Sequence, residues 1–297
     1  MMEEVKQNSV KAWLLAARPK TLAAAIVPVL VGCAMAFHDG KFAWRQALAC
    51  LLFAIMMQIA ANLINDLYDY LKGSDGEDRL GPQRATSQGW ITESAMKKGI
   101  AIVIAAGCLC GLSLLFFTNW KIIFVGIFCV LFAYFYTSGP YPLSYNGLGD
   151  IAVVLFFGLV AVGFTYYVQT FEWTCDLTFI SIATGLVVNT LLVVNNYRDR
   201  ETDARSGKRT VIVRFGETFG RYLYLFSGLS AAFISIAVLM LSCNYYAALL
   251  LAYVILHIFS WKKLCKINKG KELNVLIGES SRNMLIFAVL LSVALCV

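Results

Sequence analysis

Apolar runs near 21–37, 45–66, 97–117, 121–137, 149–169, 177–197, 219–242, 244–260 and 283–297 take up most of this chain. Each is close to the length of a membrane-spanning helix, about 20 residues. Hydrophobic residues make up 59% of the 297 and charged residues only 14%, whereas a soluble domain carries about 25% charged residues. One soluble core could not hide that much apolar surface beneath a polar shell. Nine spans of about 20 residues would use about 180 residues, near the whole apolar content. The same composition excludes intrinsic disorder. The predicted fold class is an all-α membrane protein with about nine transmembrane helices around a central cavity. It forms one polytopic domain over residues 1–297, with short connections and no large soluble part.

Details of the runs refine that reading. Only Ser242–Asn244 separates the seventh and eighth, which predicts either a tight helical hairpin or one span fewer. Leu30-Val31-Gly32-Cys33 resembles a lipoprotein cleavage box, but it lies inside the first span and reads as ordinary transmembrane helix. Residues 1–16 read as an amphipathic lead-in at the membrane surface. The nine cysteines are scattered, no C-x-x-C pair occurs, and the histidines are His38 and His257 alone. A zinc site or a disulfide framework is not expected.

Charge placement sets the topology. With nine spans, 22 of the 25 Lys and Arg fall on the N-terminal side, and only Lys41, Arg45 and Lys121 fall on the other. The positive-inside rule then places the N-terminus in the cytoplasm and the C-terminus outside. The net charge of +7 is therefore a membrane-orientation signal, and nucleic acid is not an expected partner. The organisation fits a multi-pass protein of a bacterial inner membrane.

The acidic residues crowd the same side; only Asp39, Glu172 and Asp176 do not. Two clusters end long apolar runs. Asn62, Asp66 and Asp69 recur at i, i+4, i+7, and Asn195, Asp199 and Asp203 at i, i+4, i+8; each set lies along one helix face. Ionisable side chains are costly inside a span, so carboxylates in the last turns of apolar helices point to function. Gathered carboxylates repel unless cations join them. Oxygen-only ligands suit Mg²⁺, which commonly binds a few carboxylates together with substrate phosphate oxygens. Asp66, Asp69, Asp199 and Asp203 are the candidate metal-binding and catalytic residues. Lys72, Arg84, Lys208 and Arg209 are candidates to hold phosphate charge. Asn62-x-x-x-Asp66 returns as Asn195-x-x-x-Asp199, four helices later, which predicts that the second and sixth spans face each other across the cavity.

Asn65-Asp66-x-x-Asp69 and Asp199-x-x-x-Asp203, on the second and sixth of about nine spans, resemble the UbiA superfamily of intramembrane prenyltransferases. Three further stretches resemble its branch that prenylates 1,4-dihydroxy-2-naphthoate in menaquinone synthesis. They are Ala17-Arg18-Pro19-Lys20-Thr21-Leu22, the run from Lys72-Gly73-x-Asp75 through Asp78-Arg79-x-Gly81-Pro82-x-Arg84, and Asn195-Asn196-x-Arg198-Asp199 through Gly207-Lys208-Arg209-Thr210. Ala23 departs from that pattern, where proline is expected.

The resemblance implies two Mg²⁺ ions that bridge a polyprenyl diphosphate between the two Asp motifs, with Asn62, Asn65 and Asn195 beside them. An allylic cation would be attacked by the naphthoate ring, which loses CO₂ to give demethylmenaquinone. Tyr68, Tyr70, Tyr134, Phe135, Tyr136, Tyr141, Tyr145, Tyr166 and Tyr167 are aromatic candidates to face that cation. The Gly- and Pro-rich loop 136–150 suits a cap over the cavity, with Tyr141 and Asp150 as candidate substrate contacts. Asp150 equally fits a carboxylate at a helix N-terminus. Arg18 and Lys20 fit either the naphthoate carboxylate or phospholipid headgroups.

Two other readings compete. Acids in helices also mark ion paths in transporters and channels, although such sites lie near the midplane with access from both faces. The same family also suggests other acceptors: 4-hydroxybenzoate, homogentisate or haem.

Overall fold

A computed structural model describes residues 5–73 and 79–297. The chain begins with α1 (Val10–Ala17), whose N-cap Ser9 accepts the Ala12 amide. Arg18 then takes a left-handed conformation (φ 51°, ψ 69°) and a 3₁₀ turn over Pro19–Thr21 leads into α2 (Ala23–His38). The two halves meet at a 49° bend. The helices α3 (Trp44–Leu71), α4 (Glu93–Leu112) and α5 (Ile122–Phe135) follow. Next come α6 (Gly149–Val153), a π-helical stretch over Val154–Val160, and α7 (Ala161–Thr170), which run on as one rod. The long helices α8 (Cys175–Arg205) and α9 (Val211–Leu241) precede α10 (Leu250–Ile267) and α11 (Asn274–Cys296).

Threonine starts several of these helices. The side chains of Thr92, Thr174 and Thr210 accept the amides of Ala95, Leu177 and Val213, satisfying donors that have no intrahelical partner. Beyond Lys72, which caps α3, Gly73 takes a positive φ of 67°, a common way to end a helix.

The nine apolar runs all coincide with helices, and no strand occurs among the described residues. Seven helices there are long and apolar enough to cross a bilayer, and the bent α1–α2 pair makes an eighth. The remaining run, 121–137, is α5, which has only 14 residues. At 1.5 Å per residue it spans about 21 Å, short of a hydrocarbon core of about 30 Å. The Ser242–Asn244 link does turn the chain tightly, from α9 into a 3₁₀ turn at Tyr245–Leu249.

Helices α2, α7, α8, α9 and α11 build the main core, where Val31, Tyr166, Leu177, Ile180, Ala231, Phe287 and Leu291 are buried. The π-helical stretch approaches α8 so closely that a Cβ on Gly158 would lie 2.4 Å from the Ser181 carbonyl; only glycine fits. Helix α3 packs on α2 and α7 and carries α4 and α5 beyond it, and a cavity lies between these helices and α8. The faces of α4 and α5 turned from the cavity present Ile102, Leu109 and Phe124, exposed apolar residues suited to lipid.

Candidate active site

The cavity has a volume of about 530 Å³ and is lined by residues from Arg18 through α8, with Thr210 and Ile277 of α11. Its two ends differ in chemistry. Phe53, Met57, Phe132, Phe156, Phe164 and Val168 line the apolar end, while Arg18, Asn62, Asn65, Asp69, Arg84, Asn195, Asp199, Asp203 and Lys208 line the polar end. The C-terminal turns of α3 and α8 both point into the polar end. Helix C-termini carry partial negative charge, which adds to the carboxylates in favouring cations.

Asp69 is the hub of the polar end, with 1% exposure. Its Oδ2 accepts from Arg84 Nη2 at 2.9 Å, Asn65 Nδ2 at 3.2 Å and Lys208 Nζ at 3.3 Å. Its Oδ1 accepts from the Tyr145 hydroxyl at 2.8 Å. The same Lys208 ammonium lies 3.9 Å from Asp203 Oδ1. One lysine therefore bridges carboxylates from the two motifs, and the second and sixth spans, α3 and α8, meet at one site as the internal repeat predicts. Asp199 is held by Arg198, through Nε at 2.8 Å and Nη2 at 2.5 Å. Arg198 also reaches Asn195 at 2.6 Å and Asn274 of α11 at 2.9 Å. Asn274 in turn donates to the Leu80 carbonyl, which ties the loop after α3 to α8 and α11.

Tyr145 stands between two lysines. Lys72 Nζ lies 4.2 Å and Lys208 Nζ 4.7 Å from its ring centroid, within cation–π range. Lys72 also donates to the Thr137 carbonyl at 2.7 Å. It is exposed at the rim, and partial burial lowers its pKa from the usual lysine value while Asp69 opposes that shift. Arg18 donates to Asn65 at 3.4 Å, and Asn62 holds the bend by donating to the Ala17 carbonyl and Thr21 hydroxyl.

Five expected site residues stand elsewhere. Asp66 does not line the cavity: its two oxygens accept the backbone amides of Ala85 and Thr86, each at 2.9 Å. Lys20 is exposed, because the 3₁₀ turn after Arg18 rotates it outward. The Arg209 side chain is also exposed; its backbone amide donates to the Tyr145 carbonyl at 2.8 Å. Tyr141 is 59% exposed at the loop tip. Asp150 lies behind Tyr136 and Ser144 in a side chamber of about 10 Å³, bonded to Asn189 at 3.2 Å. Asp75 and Asp78 of the second stretch lie outside the described residues. Arg198 and Tyr145 hold Asp199 and Asp69, contacts that sequence reasoning did not give. Arg198 was visible as the neighbour of Asp199, but nothing local signals that Tyr145 reaches Asp69.

The fold and this pocket define a helical membrane protein in which carboxylates and basic groups gather at one end of an apolar chamber. The chain belongs to the UbiA prenyltransferase family, which it matches over residues 25–277. It is 38% identical over 222 residues to the 1,4-dihydroxy-2-naphthoate octaprenyltransferase of Haemophilus influenzae, covering 72% of each chain. It is also 38% identical over 226 residues to the enzyme of that name from Escherichia coli, covering 74% of this chain and 73% of that one. Among solved structures, a UbiA homologue from Archaeoglobus fulgidus bound to GPP and Mg²⁺ superposes with a TM-score of 0.70 at 14% identity, over 96% of this chain and 100% of the other; that likeness is one of fold.

Proposed function

We propose that this protein transfers a polyprenyl group from polyprenyl diphosphate to 1,4-dihydroxy-2-naphthoate, releasing CO₂ and diphosphate and giving demethylmenaquinol, the reduced form of demethylmenaquinone. The observation that carries the reading is the bridge from Asp69 to Asp203 through Lys208, at the polar mouth of an apolar cavity. A diphosphate and a long hydrocarbon chain need those two environments side by side. The shared naphthoate name of the H. influenzae and E. coli relatives supports the choice of acceptor.

The donor set suits Mg²⁺. Asp69, Asp199 and Asp203 offer carboxylate oxygens, and Asn62, Asn65 and Asn195 offer amide oxygens, all on the cavity wall. Among the described residues no three carboxylate, His or Cys side chains form a ready-made cage, so donor phosphate oxygens would complete the shells, the usual arrangement for this ion. Lys208 shows that positive charge is accepted between Asp69 and Asp203. Two ions shared between the motifs match this layout, and Mg²⁺ bound there would neutralise charge on the departing diphosphate.

The remaining steps use this chain's own groups. Arg84 and Lys208 hold diphosphate oxygens, and Lys72 waits at the rim. The apolar wall excludes water from the allylic cation, and Phe132, Phe156 and Phe164 offer ring faces to it. Arg18 holds the naphthoate carboxylate. The donor C–O bond breaks, a bond forms to the carbon bearing that carboxylate, and CO₂ leaves with the electron pair returned to the ring. No net proton is released, in keeping with the position of Asp150 away from the cavity. A tail of tens of carbons stays in the bilayer, since each buried CH₂ is worth about 0.8 kcal/mol. The protein would lie in a bacterial inner membrane with this mouth on the cytoplasmic side.

An acceptor panel tests the reading. Purified protein is given Mg²⁺, a polyprenyl diphosphate and either dihydroxynaphthoate, 4-hydroxybenzoate or homogentisate. Prenylated product with dihydroxynaphthoate alone, together with labelled CO₂ from its carboxyl group, is expected. Preferred turnover of another acceptor would overturn the assignment.

A further inference from the structure

We infer that Asp66 is a positioning residue that builds the Arg84 turn, and is not one of the metal ligands. The inference deepens the proposed donor site and rests on it. Asp66 is 1% exposed on α3, and its two carboxylate oxygens receive consecutive backbone amides, Ala85 to Oδ2 and Thr86 to Oδ1, each at 2.9 Å. An acid bound to the first free amides of a turn acts as a cap. The turn it caps is tightly closed: the Arg84 carbonyl accepts from the Gln88 amide, the Ala85 carbonyl from Trp90 and the Thr86 carbonyl from Gly89, which has a positive φ of 68°. Ala85 and Ile91 are each 1% exposed in a small core with Leu63, Leu67 and Met96.

Arg84 opens this turn and is 4% exposed. Its guanidinium reaches Asp69, one helical turn beyond Asp66 on the same helix, at 2.9 Å. The i, i+3 spacing thus measures out two contacts with one segment. Asp66 fixes the backbone of the turn and Asp69 receives the side chain that the turn presents. A buried carboxylate satisfied by two amides has no need of a metal, whereas one without them would carry a large desolvation cost. The charge at position 66 therefore serves Arg84, and through it the orientation of Asp69 toward diphosphate.

Hydrogen exchange of the protein without added metal, combined with Mn²⁺ binding in the presence of pyrophosphate, tests this. The variants are Asp66→Asn, which keeps one acceptor, Asp66→Ala, which keeps none, and Asp69→Asn. The inference expects faster exchange of the segment 84–91 in Asp66→Asn and faster still in Asp66→Ala. It expects Mn²⁺ affinity in Asp66→Asn to stay near wild type, while Asp69→Asn loses about tenfold or more. In an Arg84→Ala background, Asp66→Asn should raise the donor KM no further. Unchanged exchange over 84–91, together with a loss of Mn²⁺ affinity as large as in Asp69→Asn, would overturn it. If Asp66→Ala does not fold, Asp66→Asn alone decides. Equal Mn²⁺ binding by wild type and Asp69→Asn would instead defeat the donor-site reading, and exchange over 84–91 would still decide the part played by Asp66.

Discussion

Lys208 Nζ sits 3.3 Å from Asp69 Oδ2, a pairing between residues 139 positions apart. The side chains are 16% and 1% exposed, so the contact is shielded from solvent and depends on both helices keeping their places. Asp69 keeps Arg84 at 2.9 Å, so loss of Lys208 should cost less than the about 3–5 kcal/mol of a buried charge left with no partner. Lys208→Ala should therefore lower stability as well as donor affinity. Thermal unfolding with and without pyrophosphate would separate the two, and the gain in melting temperature from pyrophosphate should shrink in the variant.

Gly81 is predicted to be intolerant of a side chain. An added Cβ would lie 2.7 Å from Arg198 Nη2 and 3.0 Å from Cζ, and Arg198 cannot yield without releasing Asp199, Asn195 or Asn274. Overpacking of this kind costs about 1–3 kcal/mol. Gly81→Ala should lower thermal stability and raise the donor KM. Gly278→Ala is the control, since a Cβ there meets nothing within 4 Å and alanine favours a helix by up to about 1 kcal/mol.

Arg18 and Lys20 are two residues apart but face different surroundings. Arg18 lines the cavity, whereas Lys20 is exposed. Arg18→Ala should raise the KM for dihydroxynaphthoate by about tenfold or more, the loss expected for a charged hydrogen bond of about 1.5–3 kcal/mol. Lys20→Ala should leave that KM within about twofold. Steady-state kinetics at saturating donor checks both.

Tail length should respond at Gly126. It lines the cavity on α5 and has nothing within 4 Å of a built Cβ, so a larger side chain enters open space. Gly126→Leu should shift preference toward shorter donors, measured by mass spectrometry of products from a mixture of donor lengths.

The pH dependence of donor binding should reflect Lys72. Its folded pKa lies below the ordinary value, chiefly through burial. Its positive charge is therefore lost at lower pH than for a free lysine, and the donor KM should rise early on the alkaline side. Arginine keeps its charge there, so Lys72→Arg should move that limb to higher pH.

The helices were legible because spanning a bilayer demands long apolar runs. Faces were legible only coarsely. At 3.6 residues per turn, Asn65 and Asp69 lie about 60° and 20° to one side of Asn62, and Asp66 about 40° to the other. That rotation aims Asn65 and Asp69 at the cavity and Asp66 at the 84–86 backbone. The i, i+4, i+7 pattern cannot register this difference, because it depends on where a non-local turn packs. Tyr145 escaped for a related reason: its partners Asp69, Lys72 and Lys208 come from two other segments of the chain. The exposure of Lys20 and Arg209 was not legible, because charge alone does not reveal which way a short turn faces.

The central claim is that the α3 and α8 acids serve one diphosphate site. Pyrophosphate binding with Mn²⁺, measured by calorimetry on wild type, Asp69→Asn, Asp203→Asn and the double variant, tests it most directly. One shared site predicts that either single change removes most of the binding and that the double change removes little more. Independent losses that add in the double variant, with each single variant keeping a separate binding event, would contradict it.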